Sequence, residues 1–281
     1  MKKLVLAVTL LALSSLSFAG DLKATKINTQ QEATAALNQK NVAQTVPHGV
    51  NSTSTCSKTF TSGVGNTFLQ YCVTVNGNIP QVQTPFGHEH VAVGTFGEGY
   101  GICDANTLVE YDDWAGFGDT GNWGAPVETF PNATTTKVVR STSDGIWTLT
   151  QVITQSASTS SIKITMTLKN NTAIARRAFT IRYVDIDADS VFANNFDATK
   201  NSSFGNNSGG FGLMLQNVGN PAASNGWISI AQNVPNGPTP CNIFTHEAEP
   251  TTATDGSVVL LYDNTFAAHA SQTYTMMYKG L

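Results

Sequence analysis

Apolar and polar residues alternate along much of the chain after residue 56. The clearest case is 160–170, where Ile162, Ile164, Met166 and Leu168 occupy one set of positions and Lys163, Thr165, Thr167 and Lys169 the other. A strand with this pattern has one face in a core and the other in water, as in an antiparallel sheet. Strands are predicted at 56–62, 67–75, 88–96, 135–141, 145–156, 160–170, 176–189, 211–217, 226–231, 257–262 and 272–279.

At least ten short strands, separated by turn signals such as Ser143-Asp144-Gly145, predict an all-β antiparallel sandwich with long surface loops. The run ITMTLKNNTAIARRAFTIRYVDID resembles strand pairs of secreted bacterial sandwich proteins, including the large supersandwich types. The resemblance is generic, covers about a tenth of the chain and implies an expectation for the fold alone.

Residues 1–19 are predicted to be a secretory signal peptide, with Lys2 and Lys3 before an apolar run and Ser17-Phe18-Ala19 as the cleavage site. Residues 20–55 are predicted to be a polar N-terminal extension with a short helix over 29–39. Residues 56–281 are predicted to form a single sandwich domain. The protein is therefore expected to be secreted, to the periplasm or beyond the cell.

The net charge of the predicted mature chain argues against two classes of binding partner. The chain has 15 Lys and Arg against 19 Asp and Glu, and loss of the two signal-peptide lysines leaves 13 − 19, a net charge of −6. An acidic chain argues against nucleic acid and against anionic membrane surfaces. No later segment is apolar for long enough to insert into a membrane.

The four cysteines are predicted to form two disulfide bonds, because an even count in an exported chain indicates disulfides. Cys56 and Cys72 lie symmetrically about Val64, the centre of a predicted hairpin turn, so we expect them to face each other and to bond. Cys103 and Cys241 are left to pair across a long loop.

The end of the strand 176–189 concentrates acidic residues. The apolar phase inverts after Tyr183, which predicts a β-bulge near 183–185 or departure of the strand from its sheet. Asp185, Asp187 and Asp189 then share one edge, with Asn194, Asn195 and Asp197 as further oxygen donors. Spacing of this kind begins calcium loops, so calcium is the candidate cofactor. The alternative is a solvated acidic strand end.

The segment 111–130 combines aromatic, acidic and glycine residues and is predicted to be an irregular loop. Rings beside carboxylates suit sugar recognition, so the candidate ligand-binding residues are Tyr111, Asp112, Asp113, Trp114, Asp119 and Trp123. The alternative is that the aromatic rings pack as a small core. The polar segment 198–210 is predicted to be a long mobile loop.

His88 and His90 share a strand face, as paired metal ligands do, although ordinary histidines near a sheet edge are the commoner case. No G-x-S-x-G, phosphate-loop or H-E-x-x-H signature is present. The sequence therefore favours a non-catalytic extracellular or cell-envelope module, binding or structural, with a glycan or an envelope component as its partner. The alternative is a secreted carbohydrate-active hydrolase or lyase that uses acids near 111–128.

Overall fold

A computed structural model describes residues 55–91, 97–115, 118–156, 159–229, 240–242 and 250–281. The predicted signal peptide, N-terminal extension and short helix at 29–39 lie outside these ranges. Among the described residues, no helix has both the length and the apolar character needed to cross a bilayer.

The described chain is built from antiparallel strands, which confirms the predicted fold class. In chain order the strands are β1 (Cys56–Ser62), β2 (Leu69–Thr74), β3 (Gln81–Gln83), β4 (Glu98–Asp104), β5 (Val109–Ala115), β6 (Gly118–Asp119), β7 (Val127–Asn132), β8 (Thr135–Ser141), β9 (Trp147–Gln155), β10 (Ser161–Asn170), β11 (Arg176–Asp185), β12 (Asn194–Thr199), β13 (Ser202–Asn206), β14 (Gly212–Asn217), β15 (Asn225–Ser229), β16 (Thr251–Thr254), β17 (Ser257–Phe266) and β18 (Ser271–Gly280).

Three sheets form the sandwich. The largest has nine strands in the order β16-β12-β13-β14-β18-β10-β9-β8-β7, and the second has six in the order β15-β17-β11-β4-β5-β6. A three-stranded sheet, β1-β2-β3, packs its apolar residues into the same core. Helical turns among the described residues are limited to two 3-10 segments, Gly65–Thr67 and Ala188–Ser190.

The main core lies between the two large sheets and follows the predicted alternation. Ile162, Ile164, Met166 and Leu168 of β10 are all buried in it. Alternate residues of β11, such as Ala178 and Val184, face them from the six-stranded sheet. Burying one face of each sheet in a shared layer removes most of the apolar surface from water.

The strand β11 has no bulge at 183–185, contrary to the first of the two predicted alternatives. It pairs without a register shift with β17 over its whole length and with β4 as far as Val184, and it leaves the sheet after Asp185. The apparent phase inversion has another cause. β11 is an inner strand whose second face carries its own apolar cluster, which includes Phe179, Ile181 and Tyr183. Apolar residues occur on both faces of β11 because both faces are covered.

Both predicted disulfide bonds are present, Cys56–Cys72 and Cys103–Cys241. The register of the first differs from the prediction. Cys56 pairs with Thr74 and Cys72 with Thr59, and a bulge between Cys56 and Lys58 shifts the strands. The second bond ties the outer face of β4 to the segment that precedes β16.

Two predicted loops are strands instead. The polar segment 198–210 contains the end of β12 and all of β13, which form a hairpin in the nine-stranded sheet. Phe196 lies opposite Gly205, and a Cβ atom at Gly205 would be 2.5 Å from the Phe196 ring, so the glycine leaves room for that ring. The segment 111–130 supplies most of β5, all of β6 and the start of β7.

Candidate functional site

The acidic cluster lies at one end of the six-stranded sheet. Asp185 is the last residue of β11, Asp187 follows it, and Asp255 lies in the turn between β16 and β17. One carboxylate oxygen from each of the three residues lies within 4.8 Å of the others. Because β17 pairs with β11 in register Asp185 to Ser257, the turn before β17 comes back beside the end of β11.

Backbone hydrogen bonds to three different segments hold the acidic stretch. The amide of Asp185 donates to the carbonyl of Gly97 at 2.9 Å, that of Ile186 to Gly256 at 3.4 Å, and that of Asp187 to His90 at 3.2 Å. The two aspartates are thus anchored by their main chain, and their side chains are left to converge on Asp255.

The cluster is electrostatically unfavourable without a counterion. Burial and the neighbouring Asp187 and Asp255 raise the pKa of Asp185 well above its usual range. Burial, and then Asp255, raise the pKa of Asp187 to about 6, and burial raises that of Asp255.

Asp187 is also left without a donor for one oxygen. Its side chain is 5% exposed, and its Oδ1 is buried with no hydrogen-bond partner among the described residues. A buried carboxylate oxygen with no donor is costly, and a cation removes that cost.

The third aspartate of the sequence motif is not in the cluster. Asp189 has φ 61° and ψ 31°, which turns it away from Asp185 and Asp187. Its Oδ1 lies 3.0 Å from His88 Nδ1, and Asn207 Nδ2 donates to its Oδ2 at 2.9 Å. The His88 ring in turn stacks on Phe211 with centroids 3.5 Å apart. Asp255 takes the place that the sequence assigned to Asp189.

Sequence reasoning missed Asp255. It lies in a Thr-Asp-Gly-Ser turn signal between two strands and has no acidic neighbour in the sequence. Only the pairing of β11 with β17 brings it to the cluster.

The predicted ligand-binding residues divide between the two faces of β5. Tyr111 and Asp113 face the main core with Trp123, and the Arg140 guanidinium lies 5.1 Å from the centroid of the Trp123 ring. Arg140 donates to Asp113 and, at 3.0 Å, to Asp119 Oδ2. Both ion pairs are fully buried. Tyr111 donates to Asp144 Oδ2 at 2.5 Å.

Asp112 and Trp114 lie on the opposite face of β5. Oδ1 of Asp112 is buried with no hydrogen-bond partner among the described residues. Burial, and then Glu110 and Asp113, raise the pKa of Asp112 well above its usual range. Gly99 lets the Trp114 ring lie against β4, since a Cβ atom there would be 2.0 Å from the ring.

Both indoles are buried, Trp114 at 3% exposed and Trp123 at 5%. The Trp123 Nε1–H donates to the carbonyl of Asp112 at 3.1 Å. This placement fits the packing alternative for the aromatic segment.

A chain of contacts joins the aromatic segment to the acidic cluster. The Trp114 ring contacts the Tyr183 ring with centroids 5.1 Å apart. Ser257 Oγ lies 3.0 Å from the Tyr183 hydroxyl and 3.1 Å from Asp185 Oδ1. The two sequence-predicted sites therefore meet at one end of the six-stranded sheet.

His88 and His90 do not converge as ligands of one ion in the described residues. His90 is buried, its Nε2 lies against the carbonyl of Thr84, and burial lowers its pKa. The imidazole is therefore neutral at physiological pH. His246, with Glu247 or Glu249, offers further groups that could bind zinc with this pair, and all three residues lie outside the described ranges.

No protein-family model matches the sequence, and no curated protein matches it significantly. Among solved structures, a bacterial glucoamylase complexed with acarbose is similar at a TM-score of 0.59 and 10% identity, over 85% of this chain and 34% of that one. A putative aldose 1-epimerase from Escherichia coli K12 is similar at a TM-score of 0.51 and 10% identity, over 80% of this chain and 99% of that one. A polysaccharide lyase is similar at a TM-score of 0.50 and 12% identity, over 78% of this chain and 33% of that one.

The chain thus spans about a third of the glucoamylase and lyase chains and nearly all of the epimerase. Identities of 10–12% show that these proteins share a fold with this chain. A shared fold of this kind does not transfer an activity.

Proposed function

We propose that this protein is an exported, non-catalytic β-sandwich module that binds calcium through Asp185, Asp187 and Asp255, and that the bound calcium helps to hold a glycan. The observation that carries the proposal is the cluster of three carboxylates within 4.8 Å, one of them with a buried oxygen that has no hydrogen-bond partner in the described chain. Cleavage of residues 1–19 before export is part of the same proposal, and the two disulfide bonds support an oxidising compartment.

Calcium suits this donor set better than magnesium or zinc. Three carboxylates, each binding through one or both oxygens, supply three to six hard ligands, and calcium accepts six to eight in flexible geometry. Zinc favours nitrogen and sulfur donors, and magnesium demands a near-ideal octahedron. Asp185 and Asp255 are half-buried, so a bound ion would keep positions open toward solvent.

The glycan part of the proposal rests on those open positions. Paired sugar hydroxyls are oxygen donors that can replace water on calcium. The fold similarity to a glucoamylase complexed with acarbose and to a polysaccharide lyase adds support by analogy only. The segment 111–123 is not part of the proposed glycan contact, because Asp112, Trp114 and Trp123 are each at most 5% exposed.

Calorimetric titration of the chelator-treated protein with calcium tests the cation site, and glycan-array binding in calcium and in chelator tests the ligand. We expect one calcium per chain, and glycan binding that is lost in chelator. Absence of calcium binding at millimolar concentration would refute the cation site. Glycan binding that is unchanged by chelator would refute the role of calcium in holding it.

A second candidate is a secreted carbohydrate-active hydrolase or lyase that uses acids near 111–128. The support for this candidate is the raised pKa of Asp112. A general acid must be protonated near neutral pH, and a raised pKa keeps a carboxyl group protonated there. The test is release of reducing ends or unsaturated products from a polysaccharide panel by the wild type and by Asp112→Asn. Product release that Asp112→Asn abolishes would favour this candidate over the binding module.

A further inference from the structure

The outer face of the nine-stranded sheet differs in charge from the rest of the chain. Four adjacent central strands, β8, β9, β10 and β18, contain no Asp or Glu, although the whole chain has 19 acidic residues. Their outward positions carry Lys137, Lys163, Lys169 and Lys279, all exposed. The one arginine in these strands, Arg140, points inward and is paired with Asp113 and Asp119. We call the outward surface of these four strands the lysine–threonine face.

Hydroxyl groups fill most of the space between the lysines. Thr167 of β10 lies opposite Thr150 of β9 on one side and Thr273 of β18 on the other. The hydroxyls of Thr167 and Thr273 are 2.8 Å apart. Thr165 lies opposite Thr275 in the next row. Serine and threonine hydroxyls thus occupy most of the outward positions between the lysines, and Val139, Val152 and Met277 occupy the others.

Within the described ranges, no acidic side chain pairs with these ammonium groups. Among the described residues, the ion pairs involve arginine and histidine, and none uses a lysine of this face. Of the six lysines in the described ranges, four lie here, and the other two are Lys58 and Lys200. Most of the described lysines of this acidic chain therefore lie on the lysine–threonine face.

The dimensions suit an extended ligand. Neighbouring strands lie about 4.8 Å apart, and side chains on one face repeat about every 6.7 Å along a strand. Lys163 and Lys169, six positions apart on β10, are therefore separated by roughly 20 Å. A polymer that lies along the sheet can contact both ends of β10 and the hydroxyl rows between them.

We propose that the lysine–threonine face binds an acidic polysaccharide, whose carboxylate or sulfate groups pair with the lysines and whose hydroxyls hydrogen-bond with the threonines. The argument is charge complementarity together with the hydroxyl array. This surface differs from the calcium cluster, which lies at the end of the six-stranded sheet, and its binding requires no cation.

Nucleic acid is the less suitable polyanion. The aromatic residues of these four strands, Trp147, Tyr274 and Tyr278, are buried in the core, so the face offers no ring on which a base can stack. A surface four strands wide also cannot enter the major groove of a duplex, which admits a helix or a two-stranded ribbon. Threonine hydroxyls match the hydroxyl-rich surface of a sugar chain more closely.

The test is affinity electrophoresis with polygalacturonate as the probe, in chelator so that the calcium cluster does not contribute. Neutral dextran is the uncharged control, and duplex DNA is the competing polyanion. We compare the wild type with the triple variant Lys163→Gln, Lys169→Gln, Lys279→Gln. The matched control is Lys58→Gln, Lys200→Gln, which removes exposed lysines elsewhere.

We expect the wild type to bind polygalacturonate, less tightly as salt rises, and the triple variant to bind about tenfold more weakly, in line with the loss of three exposed charge pairs. The lysine control should bind like the wild type. Thr165→Val, Thr167→Val keeps β-branched side chains in the strand and should also bind more weakly. Melting temperatures of all variants should stay near that of the wild type, because the replaced side chains lie on the solvent face.

Equal binding by the triple variant and the wild type would overturn the proposal. So would equal retention by neutral dextran, or duplex DNA binding as tight as that of polygalacturonate through the same lysines. A failure of calcium to bind in the separate titration would leave this result untouched, since the probe is used in chelator.

Discussion

Asp185 and Asp255 are far apart in the sequence, yet their carboxylate oxygens lie within 4.8 Å of each other. The pairing of β11 with β17 creates this proximity, because Asp185 ends one strand and Asp255 lies two residues before the start of the other. The cluster therefore exists only when the six-stranded sheet is formed. A cation that binds it would bind the native state and stabilise the fold by mass action.

Asp112 should make stability depend on pH. Its pKa is raised in the folded protein, so the folded state holds a proton that the unfolded chain releases above a pH of about 4. The contribution of Asp112 to stability is therefore fully present below that pH and is lost as pH rises through the raised folded-state pKa. Asp112→Asn cannot ionise and should melt higher than the wild type at neutral pH, by about 2–4 °C for each kcal/mol relieved.

Thermal melts of both proteins from pH 4 to pH 8 measure this difference. The matched control is Asp113→Asn, which breaks the buried pair with Arg140 and should melt lower. A wild type that melts higher than Asp112→Asn at neutral pH would show that the Asp112 carboxylate is stabilised by a partner.

The two buried indoles should contribute packing energy. Trp114→Ala removes a ring from the cluster that includes Tyr183 and Phe179, and Trp123→Ala removes one from the main core beside Tyr100. Each change should cost ~3–5 kcal/mol in the free energy of unfolding, measured by denaturant melts. A small loss of stability together with loss of glycan binding would instead identify the ring as a ligand platform.

The two disulfide bonds should differ in their contribution to stability. Cys103–Cys241 spans 138 residues and Cys56–Cys72 spans 16. In the chain-entropy model these loops give ~5 and ~3 kcal/mol respectively. Denaturant melts of Cys103→Ser, Cys241→Ser and of Cys56→Ser, Cys72→Ser measure the difference. A larger loss from the shorter loop would mean that native-state packing outweighs chain entropy.

The ion pair between Arg182 of β11 and Glu98 of β4 is fully buried within the sandwich. Gln151 and Tyr278 add hydrogen bonds to it at 2.6 and 2.7 Å. Arg182→Met leaves Glu98 without its cation and should destabilise the fold by ~3–5 kcal/mol in denaturant melts. The double variant Arg182→Met, Glu98→Gln should recover part of that loss. No recovery would show that the hydrogen-bond network contributes more than the charge pair.

The sequence predicts features that depend on neighbours along the chain. Local patterns predict the alternation in β10 and the Cys56–Cys72 disulfide bond, and both are confirmed, although the register between the two cysteines differs from the prediction. The burial of both faces of β11 depends on what covers the sheet, so the sequence suggested a bulge that is absent. The β12–β13 hairpin is polar and was predicted to be a loop, because its strand character comes from pairing within the nine-stranded sheet.

In the candidate site, too, the sequence predicts what depends on neighbouring residues and misses what depends on strand pairing. Asp185 and Asp187 are recognisable as neighbours in the sequence, whereas Asp255 reaches them through strand pairing. Asp189 fits the sequence spacing, but its left-handed backbone carries its side chain to His88. Spacing in the sequence assumes one regular conformation, and the 3-10 turn Ala188–Ser190 departs from it.

The most direct measurement is the shift in melting temperature produced by calcium in the wild type, Asp255→Asn and Asp189→Asn. Asn tolerates the left-handed conformation at position 189, so the second substitution preserves the backbone there. At a hundredfold excess over the dissociation constant, calcium should stabilise the wild type by ~2.7 kcal/mol. We expect Asp189→Asn to keep this shift and Asp255→Asn to lose it. A shift that is absent in the wild type, or that survives in Asp255→Asn and disappears in Asp189→Asn, would contradict the assignment of the cation site.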